Sequence, residues 1–126
     1  MKKISWIILI LIIAAAGIII YRHIFYSVDK EILRVEVLNG TTVNGLAGRA
    51  AEYLRDKKLD VIIISNANED TISKTIVIDR LNPRCVYGNY VAGKIDCPNT
   101  MVDIDSTLYI DVTVIIGNDW KLYLEE

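Results

Sequence analysis

Histidine occurs once in these 126 residues, at position 23, and cysteine, proline, methionine and tryptophan occur only twice each. His23 abuts a hydrophobic run, so everything beyond it lacks an imidazole. That removes histidine-based catalytic triads and every histidine-containing zinc site from the folded part. A serine nucleophile motif and a glycine-rich phosphate loop are also missing, so neither catalysis nor a cofactor is expected. Clustered positive charge is lacking as well. Residues 27–126 carry 11 Lys or Arg against 16 Asp or Glu. An acidic domain with no basic stripe has no means of neutralising phosphates, which argues against a nucleic-acid partner. No repeat or low-complexity segment interrupts the chain, and about a hundred residues bury one core rather than two.

What the chain has in excess is a single hydrophobic segment. Fifteen of the seventeen residues from Ile4 to Ile20 are apolar, and Ser5 is the only polar side chain from Ile4 to Tyr21. As a helix, positions 4–21 would span about 27 Å, close to the ~30 Å hydrocarbon thickness of a bilayer. Trp6 at one end and Tyr21, Phe25 and Tyr26 at the other suit the two interfacial belts. Lys2 and Lys3 precede the run, and only Arg22 and a mixed-charge stretch follow it. The positive-inside bias therefore predicts residues 1–3 in the cytoplasm and the rest of the chain outside. A signal peptide cleaved near Ala14–Ala16 is the rival reading, but it would leave Gly17–Ile20 as a greasy new terminus, so retention as an anchor is expected. A buried core helix is the other alternative on length alone.

Residues 22–31 form a short connector, residues 32–120 one domain and residues 121–126 a tail. Ile32–Leu38 alternates as a strand, with Leu33, Val35 and Val37 on one face. The turn Asn39–Asn44 leads into a helix over 45–57 with Asn44 as its expected N-cap and Leu46, Ala47, Ala50, Ala51 and Leu54 as an apolar stripe. The continuous run Val61–Ile64 predicts a strand covered on both faces. A polar loop over 66–73 and a strand over 75–79 follow. Pro83 opens a second helix over 84–96, less secure because Gly88 and Gly93 each cost ~1 kcal/mol against alanine. Strands are expected at 101–104 and 108–116. The order β-α-β-β-α-β-β predicts an α/β chain of the α+β type: one mixed sheet of four or five strands with both helices on one face.

Several of these residues also carry a resemblance. Val35–Leu38 followed by Asn39-Gly40, then a helix opening Gly45-Leu46-Ala47, resembles the opening motif of the LytR C-terminal domain family. Val77-Ile78-Asp79-Arg80, Val91-Ala92 with Ile95, and the ending Asp111–Gly117 with Asn118-Asp119-Trp120 are similar to that family's later signatures. The likeness spans residues 33–120. It implies a bacterial cell-envelope protein of the kind often found behind a LytR-CpsA-Psr phosphotransferase domain, here a stand-alone accessory domain without that enzyme. Partners implied are the membrane and either cell-wall glycan, meaning peptidoglycan or its attached glycopolymers, or the proteins that assemble them. A looser likeness of element order to glycan-binding sporulation-related repeats is one of fold alone.

Candidate ligand-binding residues are Asn39, Gly40, Thr41 and Asn44, whose turn can present backbone N–H groups to an anion, or can serve backbone geometry only. Arg49 and Arg80 suit phosphate or carboxylate, unless solvated or paired with Asp79 or Asp119. Trp120 can stack on a sugar or close the core. Asp103, Asp105, Asp111 and Asp119 form no recognisable cation loop, and no metal is expected. Cys85 and Cys97 would lie ~18 Å apart at opposite ends of an intact second helix, too far to bridge, whereas a helix broken at its glycines would allow a disulfide. The intact helix is favoured. The leading functional expectation is a non-enzymatic envelope protein that binds wall glycan or scaffolds its attachment. The alternative is a protein-interaction subunit of a division or secretion complex.

Overall fold

The computed structural model describes residues 2–26 and 32–120. Most of the expected connector (27–31) and the whole of the expected tail (121–126) lie outside the described residues.

Helix α1 (Lys2–Tyr26) contains a span, Lys3–His23, long and apolar enough to cross a membrane, and none of it is covered by the rest of the described chain. The helix is therefore no part of the core formed by the other described residues. Its many isoleucines are mediocre helix formers in water, but in lipid each backbone N–H and C=O must be satisfied within the segment, which a helix alone achieves for a single span.

The domain follows as β1 (Arg34–Asn39), α2 (Leu46–Asp56), β2 (Asp60–Asn66), β3 (Ile76–Asp79), α3 (Val86–Lys94), β4 (Thr100–Val102) and β5 (Val112–Ile116). The expected element order and mixed sheet are both observed. The strands lie in the order β2-β1-β5-β3-β4; β1 is parallel to β2 and β5, β3 is parallel to β4, and only β3 and β5 are antiparallel. Register aligns Val61, Val35, Val112 and Asp79 in one row and Val37, Val114 and Val77 in the next, so all share one face. Both helices pack on that face. Ala47, Ala50, Ala51 and Leu54 of α2, spaced three and four apart, and Val91 and Ala92 of α3 join these valines in one core, with Ile95, Ile116 and Trp120. Each fully buried Val, Leu or Ile contributes roughly 1.5–3 kcal/mol.

Four local expectations are corrected. Strand β2 sits at the sheet edge, so helix α2 covers one side only: Val61 is buried, but Ile62, Ile63 and Ile64 are 42%, 42% and 44% exposed. A register shift opposite Val35 and Glu36 adds to the irregularity. An apolar run does not by itself distinguish a covered strand from an edge. The strand expected over 108–116 begins only at Val112, because the Asp105 carboxylate draws Thr107 into a tight turn and Leu108 N–H donates to the Asp105 carbonyl. Asn44 does not cap α2. The N-cap is Gly45 in the left-handed region (φ 77°), which favours glycine, and no side chain caps the helix. Pro83 precedes α3 rather than opening it, and Cys85 occupies the N-cap position.

The suspected weakness of the second helix has a packing explanation. A Cβ on Gly88 would stand 2.8 Å from Cys85 Sγ and 3.1 Å from Asp79 Cβ, so glycine is what lets α3 approach the sheet.

Candidate functional site

Strand polarity divides the domain into two chemically distinct ends. The starts of β1, β2 and β5 and the finishes of β3 and β4 form a near end, reached from α1 through the seven residues between Tyr26 and Arg34. The opposite far end collects the loops 39–46, 66–75 and 116–119, about 20 Å away by the rise of six strand residues.

At the far end, Asn39 Oδ1 accepts from Thr41 N–H (2.9 Å) and Thr41 Oγ1 (2.7 Å), while Asn39 Nδ2 donates to the Val43 carbonyl (2.8 Å). Val43 N–H donates in turn to Thr41 Oγ1 at 3.2 Å. Both Asn39 and Thr41 are buried. Gly40 donates to the Ile116 carbonyl and accepts from Ile72 N–H, and a Cβ there would lie 2.6 Å from Ile72 Cγ1 and 2.8 Å from the Ile116 oxygen. The turn therefore spends Asn39, Gly40 and Thr41 on its own geometry. Nearby, Asp119 Oδ1 accepts from Thr75 N–H and Oγ1, and Thr75 Oγ1 accepts from Gly117 N–H.

These contacts frame a polar cleft of about 480 Å³. One wall is Asn39, Thr41, Thr42 and Asn44; the other is Asn66, Ala67, Asn68 and Asp70. No cation lines it. The second wall was not singled out in the sequence, where 66–73 reads as a polar loop. The signal lies in topology: parallel pairing of β1 with β2 brings their C-terminal loops together.

The other candidate residues lie elsewhere. Arg49 is exposed on α2, outside the cleft. Trp120 is buried in the core, its ring meeting Tyr53 edge to face at 5.8 Å. Arg80 is at the near end, where Nη1 pairs with Asp103 at 2.6 Å and Nε donates to Thr113 Oγ1 at 3.1 Å. Its partner is thus Asp103, not Asp79 or Asp119. Asp79 is fully buried and accepts four backbone N–H groups: Leu81 and Asn82 on one oxygen, Tyr87 and Gly88 at the start of α3 on the other. Arg34 makes a bidentate pair with buried Asp111 and stacks 3.8 Å over the Tyr109 ring. Hydrogen bonding to Asp111 holds its guanidinium above the ordinary arginine range. The four aspartates considered for a cation each have their own protein partner: Arg80, Thr107, Arg34 and Thr75 for Asp103, Asp105, Asp111 and Asp119.

Cys85 and Cys97 are not bridged. Cys85 Sγ faces the Met101 carbonyl and Cys97 Sγ the Thr75 carbonyl. Burial, with Asp79 beside it, pushes the Cys85 thiol above the usual cysteine range.

A family model described as LytR cell envelope-related transcriptional attenuator matches residues 32–120, well over half of the chain. The chain belongs to the LytR C-terminal family. No curated protein and no solved structure matches it. The LytR C-terminal domain occupies every described position beyond α1, and the few residues between α1 and β1 leave no room there for a catalytic domain. This family's domain is an accessory of the cell envelope rather than a catalytic one.

Proposed function

We propose that this protein is a single-pass anchored accessory of the bacterial cell envelope, its N-terminus in the cytoplasm, whose external domain binds wall glycan in the far-end cleft. The observation that carries the reading is the position of that cleft. It opens at the end of the sheet opposite the one tethered to α1, so an anchored domain would turn it toward the wall. Its lining supports a neutral ligand. Asn44, Asn66 and Asn68 offer amide donors and acceptors and Thr42 a hydroxyl, a set suited to sugar hydroxyl and acetamido groups. Without a lysine or arginine, and with Asp70 present, the cleft is poorly matched to a phosphate-rich polymer. Sedimentation of the detergent-solubilised chain with isolated cell walls tests this. Retention is expected, and Asn68→Ala should weaken it roughly fivefold, the ~1 kcal/mol of one neutral hydrogen bond. Absence of retention in the wild type would sink the reading.

A second reading, a protein-interaction subunit of a membrane complex, is favoured by the edge of β2 with its three exposed isoleucines. Pull-down of a membrane partner that Ile63→Lys abolishes, with no wall retention, is the result it requires.

A further inference from the structure

At the near end, the loop 103–110 and its neighbours carry an apolar skin over a polar frame. Leu81, Ile104, Leu108 and Tyr109 line one shallow cavity of about 340 Å³, and all four are exposed. Tyr109 is the extreme case at 74%. Ile32, just ahead of β1, is exposed too. Two ion pairs lie among them, Arg34 with Asp111 and Arg80 with Asp103, and the one further carboxylate of the lining, Asp105, is turned onto the N–H and hydroxyl of Thr107. We infer that this near-end surface docks on the outer leaflet of the membrane, with Leu81, Ile104, Leu108 and Tyr109 entering the headgroup region.

Tether length supports the choice of occupant. From Tyr26 to Arg34 is eight residue steps, at most about 28 Å fully extended, which is less than the diameter of a domain this size. The surface that must lie closest to the bilayer is therefore the one bearing these side chains. Tyrosine has the amphipathic ring favoured at lipid interfaces, and its face is already stacked on a guanidinium whose charge Asp111 balances. Exposed charges nearby are of both signs, with Lys57, Lys58 and Arg84 set against Asp56 and Asp60, so attraction rests on apolar area rather than on anionic lipid. The inference rests on α1 being a membrane anchor.

The full-length chain is reconstituted into phosphatidylcholine vesicles containing lipids brominated near the headgroup. Two Trp6→Phe backgrounds carry either Tyr109→Trp at the near end or Thr42→Trp at the far end, with Trp120 constant in both. The Y109W probe should shift to the blue and lose emission to bromine; the T42W probe should do neither. Ile104→Glu with Leu108→Glu should abolish the Y109W response while thermal unfolding stays cooperative. Equal, unquenched emission from both probes would overturn the inference when Trp6 of the wild-type chain is quenched. Docking seen only with anionic lipid, and lost in high salt, would overturn its apolar basis. An unquenched Trp6 would instead remove the anchor reading, and this inference with it.

Discussion

The two ends of the sheet solve opposite problems with similar residues. At the far end, Asn39, Thr41, Thr75 and Asp119 fold their hydrogen-bonding groups inward, and the surface left over is still polar because Asn44, Asn66, Asn68 and Asp70 ring it. At the near end, Asp79, Arg34 and Asp111 do the same inward work, but the surface left over is apolar. The difference teaches that the family's signature residues report the fold rather than the ligand. Asn39, Gly40, Asp79, Gly117 and Asp119 are each accounted for by a turn, a close approach or a cap.

This contrast can be broken in order of expected effect. Asp79→Ala should be the most damaging change, because it strands four backbone N–H groups, two in the loop after β3 and two at the start of α3; a loss of about 4 kcal/mol or more is expected in denaturant unfolding. A loss below about 1 kcal/mol would mean the near end does not depend on this carboxylate. Gly117→Ala is the far-end equivalent. Its Cβ would stand 2.5 Å from the Lys74 carbonyl carbon and 2.7 Å from Thr75 N, backbone that has little room to yield. About 3 kcal/mol is expected, read as a lowered Tm. Arg34→Ala strips the buried Asp111 carboxylate of its guanidinium, and a smaller fall in Tm than for Gly117→Ala is expected because the arginine itself is partly solvated. By contrast, Asn44→Ala, on the exposed wall of the cleft, should move stability by less than about 0.5 kcal/mol while lowering wall retention.

The smallest effect concerns Cys85. Its folded-state pKa is raised, first by burial and then by Asp79, so the neutral thiol is favoured by folding. The associated stabilisation is complete below the pKa of an unfolded thiol and is lost as pH rises through the higher folded value. Alkylation of Cys85 in mildly alkaline buffer should therefore be slower than that of a free thiol, and faster in Asp79→Asn if the protein still folds. Mass spectrometry after timed labelling reads both.

Much of the fold was legible because the core follows two simple periods. The alternation Leu33, Val35, Val37 and the three-and-four spacing of Ala47, Ala50, Ala51 and Leu54 each name a buried face, and all are buried. Sheet position was not legible. Ile62–Ile64 would read the same way in a central strand, and only the partner order exposes them. The segment 108–111 misled for a related reason: its alternation is real, but the turn set by Asp105 and Thr107 wins locally. Of the candidate site, the Asn39–Asn44 wall could be read from turn chemistry. Asn66, Asn68 and Asp70 could not, because loops far apart in the chain meet only through parallel pairing.

Parallel pairing beside a tether also bears on how crowded copies avoid one another. The edge of β2 carries three bare isoleucines and, within the strand, none of the lysines or prolines that usually blunt such an edge. Two identical edges zip together most readily head to foot, about a two-fold axis perpendicular to the strands. In copies anchored through α1 and seated on the same leaflet, every β2 points away from the bilayer, and the head-to-foot arrangement would require one copy to stand upside down. An anchor at α1 would thus act as a steric chaperone. Cut loose from α1, the same domain should be prone to self-association.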